Sequence, residues 1–214
     1  MKHFDAIIIG AGQAGVPLAK NLALAGKKTA LVEKRLVGGT CINDGCTPTK
    51  AMIASAKAAY QASKSETLGV KIGSVQVNLK EIKKRKDAIV EQFRSSSENG
   101  IEETKGLKLI MGEARFTGKK EITIALNDGA EEVITADWIF INTGAKTAIP
   151  DIDGLNETNF LTSTTILDLE TVPEHLVVLG GNYIGLEFGQ MFSRFGSKVT
   201  ILEKSSSILS REDV

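Results

Sequence analysis

Two cysteines and a lysine offer the most chemistry in this chain. Cys41 and Cys46 are its only cysteines, set with four residues between them in the stretch Gly38-Gly39-Thr40-Cys41-Ile42-Asn43-Asp44-Gly45-Cys46-Thr47-Pro48-Thr49-Lys50. That spacing suits two sulfurs brought together by a turn into the start of a helix. Gly45 frees the backbone just before Cys46, and Pro48 fits the first turn of the Ala-rich helix that follows. A thiol at a helix N-terminus feels the positive end of the dipole, which favours the thiolate. Lys50 adds a positive charge one turn further on. The competing readings are inert burial and half of a zinc site. Zinc takes four ligands, and only His3 and His175 are available to join the cysteines. Inert burial fits poorly with cysteines set among glycines, Asn and Asp. The pair therefore reads as a redox dithiol, and no metal site is expected. Asp44, between the cysteines, opposes thiolate formation by its own charge.

The dithiol needs a scaffold, and the N-terminal residues predict one. Residues 5–9 form a short apolar run ended by glycine, the pattern of a buried parallel strand. Gly10-Ala11-Gly12-Gln13-Ala14-Gly15 follows, then an apolar-periodic helix through about Leu24 with Gly26 as its stop. A second strand over residues 29–32 ends in Glu33. This is the strand–glycine turn–helix–strand–acid order of a dinucleotide-binding unit, a more specific signal than GxGxxG alone. Gly10 makes the turn, Gly12 lets the backbone approach a pyrophosphate, and Gly15 lets the helix pack on the strand. The helix N-terminus holds phosphate, and Glu33 is placed to accept hydrogen bonds from a ribose.

The same pattern returns 170 residues later: Gly10, Gly15, Gly26, Glu33 and Lys34 map onto Gly180, Gly185, Gly196, Glu203 and Lys204 without a gap. Such a repeat predicts a second nucleotide. Asn182 stands where the second glycine belongs; Asn tolerates positive φ better than most residues, but closer approach of a pyrophosphate is put in question. Between the repeats, residues 79–103 read as a charged helix whose Lys83-Lys84-Arg85-Lys86 is a solvated face. Strands are expected over 107–111, 121–126 and 132–140, with turns at 118–120 and 127–129. The turn-rich residues 150–154 divide a domain over 1–150 from a second over 151–214.

The cysteine block resembles the redox-active disulfide of the flavin-dependent class I pyridine nucleotide–disulfide oxidoreductases, a family that includes mercuric reductase, dihydrolipoamide dehydrogenase and glutathione reductase. G-G-T-C-x-N-x-G-C-x-P-[ST]-K is matched at every fixed position. Trp138 to Ala145 resembles the family's strand ending in an (A/N)-T-G turn. Tyr183-Ile184-Gly185-Leu186-Glu187 resembles its Y-I-G-x-E. The resemblance implies an α/β fold: a Rossmann-like FAD-binding domain with a three-stranded antiparallel meander, followed by an incomplete NAD(P)-binding domain. It implies FAD in the first unit, held by Gly10, Gly12, Ala14, Gly15, Glu33, Lys34, Gly39, Thr40, Ala114, Thr143 and Gly144. It implies NADH or NADPH in the second, at Gly180, Asn182, Tyr183, Ile184, Gly185 and Glu203. Cys46 would face the flavin as a charge-transfer thiolate, and Cys41 would exchange with substrate. Lys50 would lie near the flavin N5, and Glu187 would reach the flavin edge and pair with Lys50. Tyr183 would cover the flavin and move when nicotinamide enters, against the alternative of a buried packing tyrosine. Glu203 favours NADH, since an acid there receives a 2′-hydroxyl and repels a 2′-phosphate; Lys204 and Arg211 lie near enough to accommodate NADPH.

Lys plus Arg and Asp plus Glu both number 26, a balance that advertises neither nucleic acid nor an anionic membrane. The apolar run at residues 6–9 is too short for a secretion signal or a membrane span, so a cytoplasmic protein is expected. The motif wording is closest to mercuric reductase-like proteins, with dihydrolipoamide dehydrogenase second, so the expected substrate is a small disulfide or a metal ion. The chain is expected to be the N-terminal portion of a longer, homodimeric protein. It would then lack the family's His–Glu base, for which neither His3 nor His175 is a credible substitute. The reading from another class is a non-catalytic nucleotide-binding module.

Overall fold

Ala6, Ile7 and Ile8 are wholly buried, as a strand covered on both faces requires, and the rest of the first sheet is built outward from them. The computed structural model describes residues 2–209. In chain order its elements are β1 (Lys2–Ile9), α1 (Gly15–Leu24), β2 (Thr29–Glu33), α2 (Gly39–Asn43), α3 (Cys46–Ser63), α4 (Leu79–Glu102), β3 (Leu107–Gly118), β4 (Glu121–Leu126), β5 (Glu131–Ile141), β6 (His175–Leu179), α5 (Tyr183–Phe195) and β7 (Lys198–Leu202). They fall into two compact units. One takes the described residues up to Asp44 together with Val90–Ala148; the other takes Gly45–Ile89 and the described residues from Ile149 onward. This division departs from the split at residue 150, because Gly45–Ile89 folds with the later part of the chain. The cause is the apolar stripe of α3: Met52 and Ala56 are buried in one cluster with Phe188, Met191 and Phe192 of α5.

In the first unit β1 to β5 close into a five-stranded barrel. β1 pairs in parallel with β2 and with β5, and β2 pairs in parallel with β3. The antiparallel meander expected from the sequence is present, but it is not a separate sheet. β3 runs beside β2 as far as Met111 and from Gly112 onward beside β4; β5 pairs with β4 near its start and with β1 along its remainder. The strands are accordingly longer than expected. Gly112 marks the change of partner, and a Cβ there would lie 2.5 Å from the Ala125 carbonyl oxygen. The interior holds Phe4, Ile7, Val32, Ile122, Ile124 and Ile134. On the other face of the sheet, Ile8, Ala19, Leu31 and Ile101 form a second cluster with α1.

In the second unit β6 and β7 pair in parallel from His175↔Lys198 to Leu179↔Leu202. α5 buries Phe188, Met191, Phe192 and Phe195 against α3, the start of α4 and a turn at Thr165–Asp168. The basic run is a solvated face only in part: Lys84 and Arg85 are exposed, but Lys86 is not. Lys86 is only 5% exposed and is paired with Asp87 at 2.5 Å and Asp168 at 3.5 Å, while Arg85 donates to the Ala51 carbonyl at 2.9 Å. Periodicity alone gives no sign of this, because the acid that draws Lys86 inward lies 82 residues away.

The internal repeat reaches the hydrogen bonds that end each first helix. Gly26 N–H donates to Ala23 O and Lys27 N–H to Leu22 O; Gly196 N–H donates to Ser193 O and Ser197 N–H to Phe192 O. Gly26 and Gly196 take φ of +81° and +112°, the left-handed conformation such a stop requires.

Candidate active site

The first unit presents a glycine cradle. Gly10 adopts φ +107°, and a Cβ on it would stand 2.1 Å from the Asn142 carbonyl oxygen. Gly15 is equally constrained, since its Cβ would meet Gly10 O at 2.0 Å. These two glycines allow α1 to start directly behind the strand end. Ala14 precedes α1 and no side chain caps this helix. Val16 N–H donates to Gly12 O at 3.1 Å and Pro17 carries no N–H, so the Gly15 N–H is what the first turn offers an anionic ligand. Glu33 closes the loop from beneath: Oε2 accepts from Ala11 N–H and Oε1 from Arg35 N–H, both at 2.8 Å. Gly38 N–H donates to Ala11 O at 2.8 Å, which draws the cysteine-bearing segment onto the cradle. Gly39, at φ +60°, approaches so closely that a Cβ would lie 2.8 Å from Gly12 Cα. A cleft of about 270 Å³ opens beside this contact, lined among others by Gly12, Gln13, Val16, Ile42 and Phe93. Sequence reasoning missed Gln13, Ile42 and Phe93; the last lies on α4, where only tertiary structure brings it to the loop. Lys34 reaches Glu113 at 3.2 Å, and Ala114 sits on β3 opposite Ile124. Thr143 and Gly144 follow β5, with Gly144 at φ +72°.

α2 is one turn long and carries Thr40, Cys41 and Asn43, with Asp44 capping it through an N–H bond to Thr40 O. Cys41 is half-buried. Asn43 donates to Val37 O at 3.0 Å and Gly39 O at 2.9 Å. It accepts from Arg94 Nη1 at 3.0 Å. Asp44 is ion-paired with Arg35, so the carboxylate expected to oppose a thiolate has a cation of its own. Neither arginine is in the cysteine motif, and neither was singled out from the sequence.

The second unit repeats the cradle. Gly180 has φ +107° like Gly10, and a Cβ on Gly185 would lie 2.1 Å from Gly180 O. Glu203 Oε2 accepts from Gly181 N–H and Oε1 from Ser205 N–H, each at 2.7 Å. These N–H donors, first Ser205 and then Gly181, hold the Glu203 carboxyl below its ordinary range. Asn182 needs no positive φ: at φ −87° it caps α5, its Oδ1 accepting from Tyr183 N–H. Tyr183 is 61% exposed and Ile184 43%, so this tyrosine is not a packing residue. Cys46 opens α3 on the exposed side. One turn on, Lys50 forms an ion pair with Glu187 of α5. His3 and His175 each meet a threonine across their sheets, Thr135 at 3.1 Å and Thr200 at 2.9 Å. Arg211 lies outside the described residues. Among those residues no helix is long and apolar enough to cross a membrane.

A dinucleotide cradle with the Cys41-bearing turn drawn onto it through Gly38 and Gly39 defines a class. The model of the pyridine nucleotide-disulphide oxidoreductases matches residues 4–213, and the chain belongs to that family. Among its relatives are the mercuric reductases of Streptomyces lividans, 36% identical over 98% of this chain and 44% of the relative, and of Staphylococcus aureus, 37% identical over 98% and 38%. Among solved structures, the Cu(II) complex of the HOCl-induced flavoprotein disulfide reductase RclA from Escherichia coli superposes with a TM-score of 0.86 at 38% identity, covering 100% of this chain and 45% of that one. The chain thus spans less than half the length of these relatives.

Proposed function

We propose that this chain is the flavin- and nicotinamide-nucleotide-binding part of a disulfide oxidoreductase. In this reading Cys41 and Cys46 are the dithiol that bound FAD and NADH would keep reduced, and that acts on a small disulfide or a thiophilic metal ion. The observation that carries the reading is the contact of Gly39 with Gly12, which starts the Cys41-bearing turn on the dinucleotide loop itself. The uncapped α1 and the side-chain-free faces of Gly12 and Gly39 fit the pyrophosphate of FAD, with Glu33 at its ribose. Bound FAD would supply two-electron transfer between nicotinamide and dithiol. Cys46 would be the thiol facing the flavin, with Lys50 adding positive charge one turn away. Cys41 attacks the substrate: its thiolate displaces one thiol from a disulfide R–S–S–R, and Cys46 then displaces the second. The protein disulfide re-forms and two R–SH leave. With a mercury(II) ion bound by both sulfurs, the same two electrons reduce the ion as the disulfide closes; copper(II) takes one electron each, so two ions are reduced per disulfide formed. Glu203 supports NADH through its carboxylate beside the second loop. The names of the relatives support a thiol-seeking substrate, a mercury or copper ion among the candidates.

The test is the visible spectrum of the purified protein before and after anaerobic dithionite and NADH. A bound flavin that develops a long-wavelength band on reduction is the expected result. A colourless protein that takes up no added FAD overturns the reading.

A further inference from the structure

We propose that Arg35 and Arg94 are positioning residues that clamp the loop between the two cysteines and thereby set how readily the disulfide forms. The inference rests on the dithiol reading above. α2 is five residues long, too short to hold itself by helix propagation, so Cys41 needs outside anchors. The two residues that end this turn each have one. Asp44 is ion-paired with Arg35, whose own N–H is fixed on Glu33 Oε1 at 2.8 Å. Asn43 accepts from Arg94 Nη1 at 3.0 Å, and its amide grips Val37 O and Gly39 O on the approach to Cys41. Arg94 is steadied in turn by Glu91, and its side chain is 20% exposed. Asp44 is only 16% exposed, which limits the alternative positions open to it.

The chain leaves Asp44 through Gly45 to Cys46, so fixing Asn43 and Asp44 narrows the volume that Cys41 and Cys46 explore. That raises the effective concentration of one thiol at the other. The exchange is disulfide plus two glutathione thiols giving dithiol plus glutathione disulfide. A clamped loop favours the protein disulfide, and releasing either arginine moves the balance toward the dithiol.

The test is equilibration of the whole chain in graded glutathione thiol–disulfide buffers, with acid quenching, alkylation and intact mass as the readout. Three variants are compared with wild type at a temperature where all are folded: R94Q, the double variant R35Q/D44N, and R35K. The double variant removes the clamp without leaving a lone carboxylate. R94Q and R35Q/D44N should each lower the equilibrium constant for disulfide formation roughly three- to tenfold. R35K, which keeps a cation for Asp44, should stay with wild type. A contribution to fold stability alone would lower the unfolding midpoints and leave this equilibrium in place, which overturns the proposal. A wild-type chain whose cysteines never pair overturns both the proposal and the dithiol reading beneath it.

Discussion

Lys50 of α3 and Glu187 of α5 form an ion pair across two helices whose apolar faces share one buried cluster. Their side chains are 60% and 35% exposed, and pairs this wet contribute little to folding, about 1 kcal/mol or less. The packing of Met52 and Ala56 against Phe188 and Met191 places the two helices, and the charges are then held at their surface.

Glu187→Gln should therefore separate stability from chemistry. Urea unfolding should shift by about 1 kcal/mol or less, while stopped-flow reduction of bound FAD by NADH should slow at least about tenfold. A variant that loses stability and rate together would make the pair a structural contact.

Gly10 and Gly180 share φ +107°, yet only Gly10 has a backbone oxygen 2.1 Å from where a Cβ would stand; Gly180 has nothing within 4 Å. Alanine at either position carries the left-handed penalty of about 1–2 kcal/mol. Gly10→Ala should cost at least about 2 kcal/mol more than Gly180→Ala, because the end of β5 must move as well. Equal urea midpoints for the two variants would remove the steric part of this account.

Much of the cradle was legible in advance because its signals are local. The glycines at a spacing of 170, the acids after the second strands and the helix stops at Gly26 and Gly196 all follow from backbone geometry that few residue types satisfy. The cysteine motif was legible for the same reason. What escaped was set by distant partners: the burial of Lys86 beside Asp168, the grip of Arg94 on Asn43, and the arrival of Phe93 beside Gly12. The barrel was half legible. The strands were expected, but not that β3 and β5 would each pair with two strands along their length.

Acid should expose the second cradle. The Glu203 carboxyl is held below its ordinary range by the N–H groups of Ser205 and Gly181. A carboxyl depressed in the folded state contributes stability that is present above its unfolded pKa, about 4.3. That stability is lost as pH falls through the lower folded value. The melting temperature of Glu203→Gln should thus approach that of wild type as the pH drops from 5 toward 3, with the gap widest at neutral pH. Parallel curves across this range would show that the N–H bonds do not favour the charged form.

Asn182 offers a test of the second loop. Asn182→Gly gives up the cap on Tyr183 N–H at a cost of a few tenths of a kcal/mol to α5. It also restores the second glycine of the first loop's pattern. NADH should bind more tightly to this variant by calorimetric titration. An unchanged or weaker Kd would mean that the cap does not compete with the nucleotide.

That cap also separates the two loops in time. The N-terminus of α1 has no side chain of its own to satisfy it, so a ligand seated there is replaced only by water and has every reason to remain through folding and turnover. The N-terminus of α5 carries Asn182 as a ready substitute, which takes back the N–H whenever a phosphate departs. On the proposed reading, one duplicated glycine turn would then provide a long-stay berth and a quick-exchange berth, the pairing that a resident carrier and a consumable reductant require.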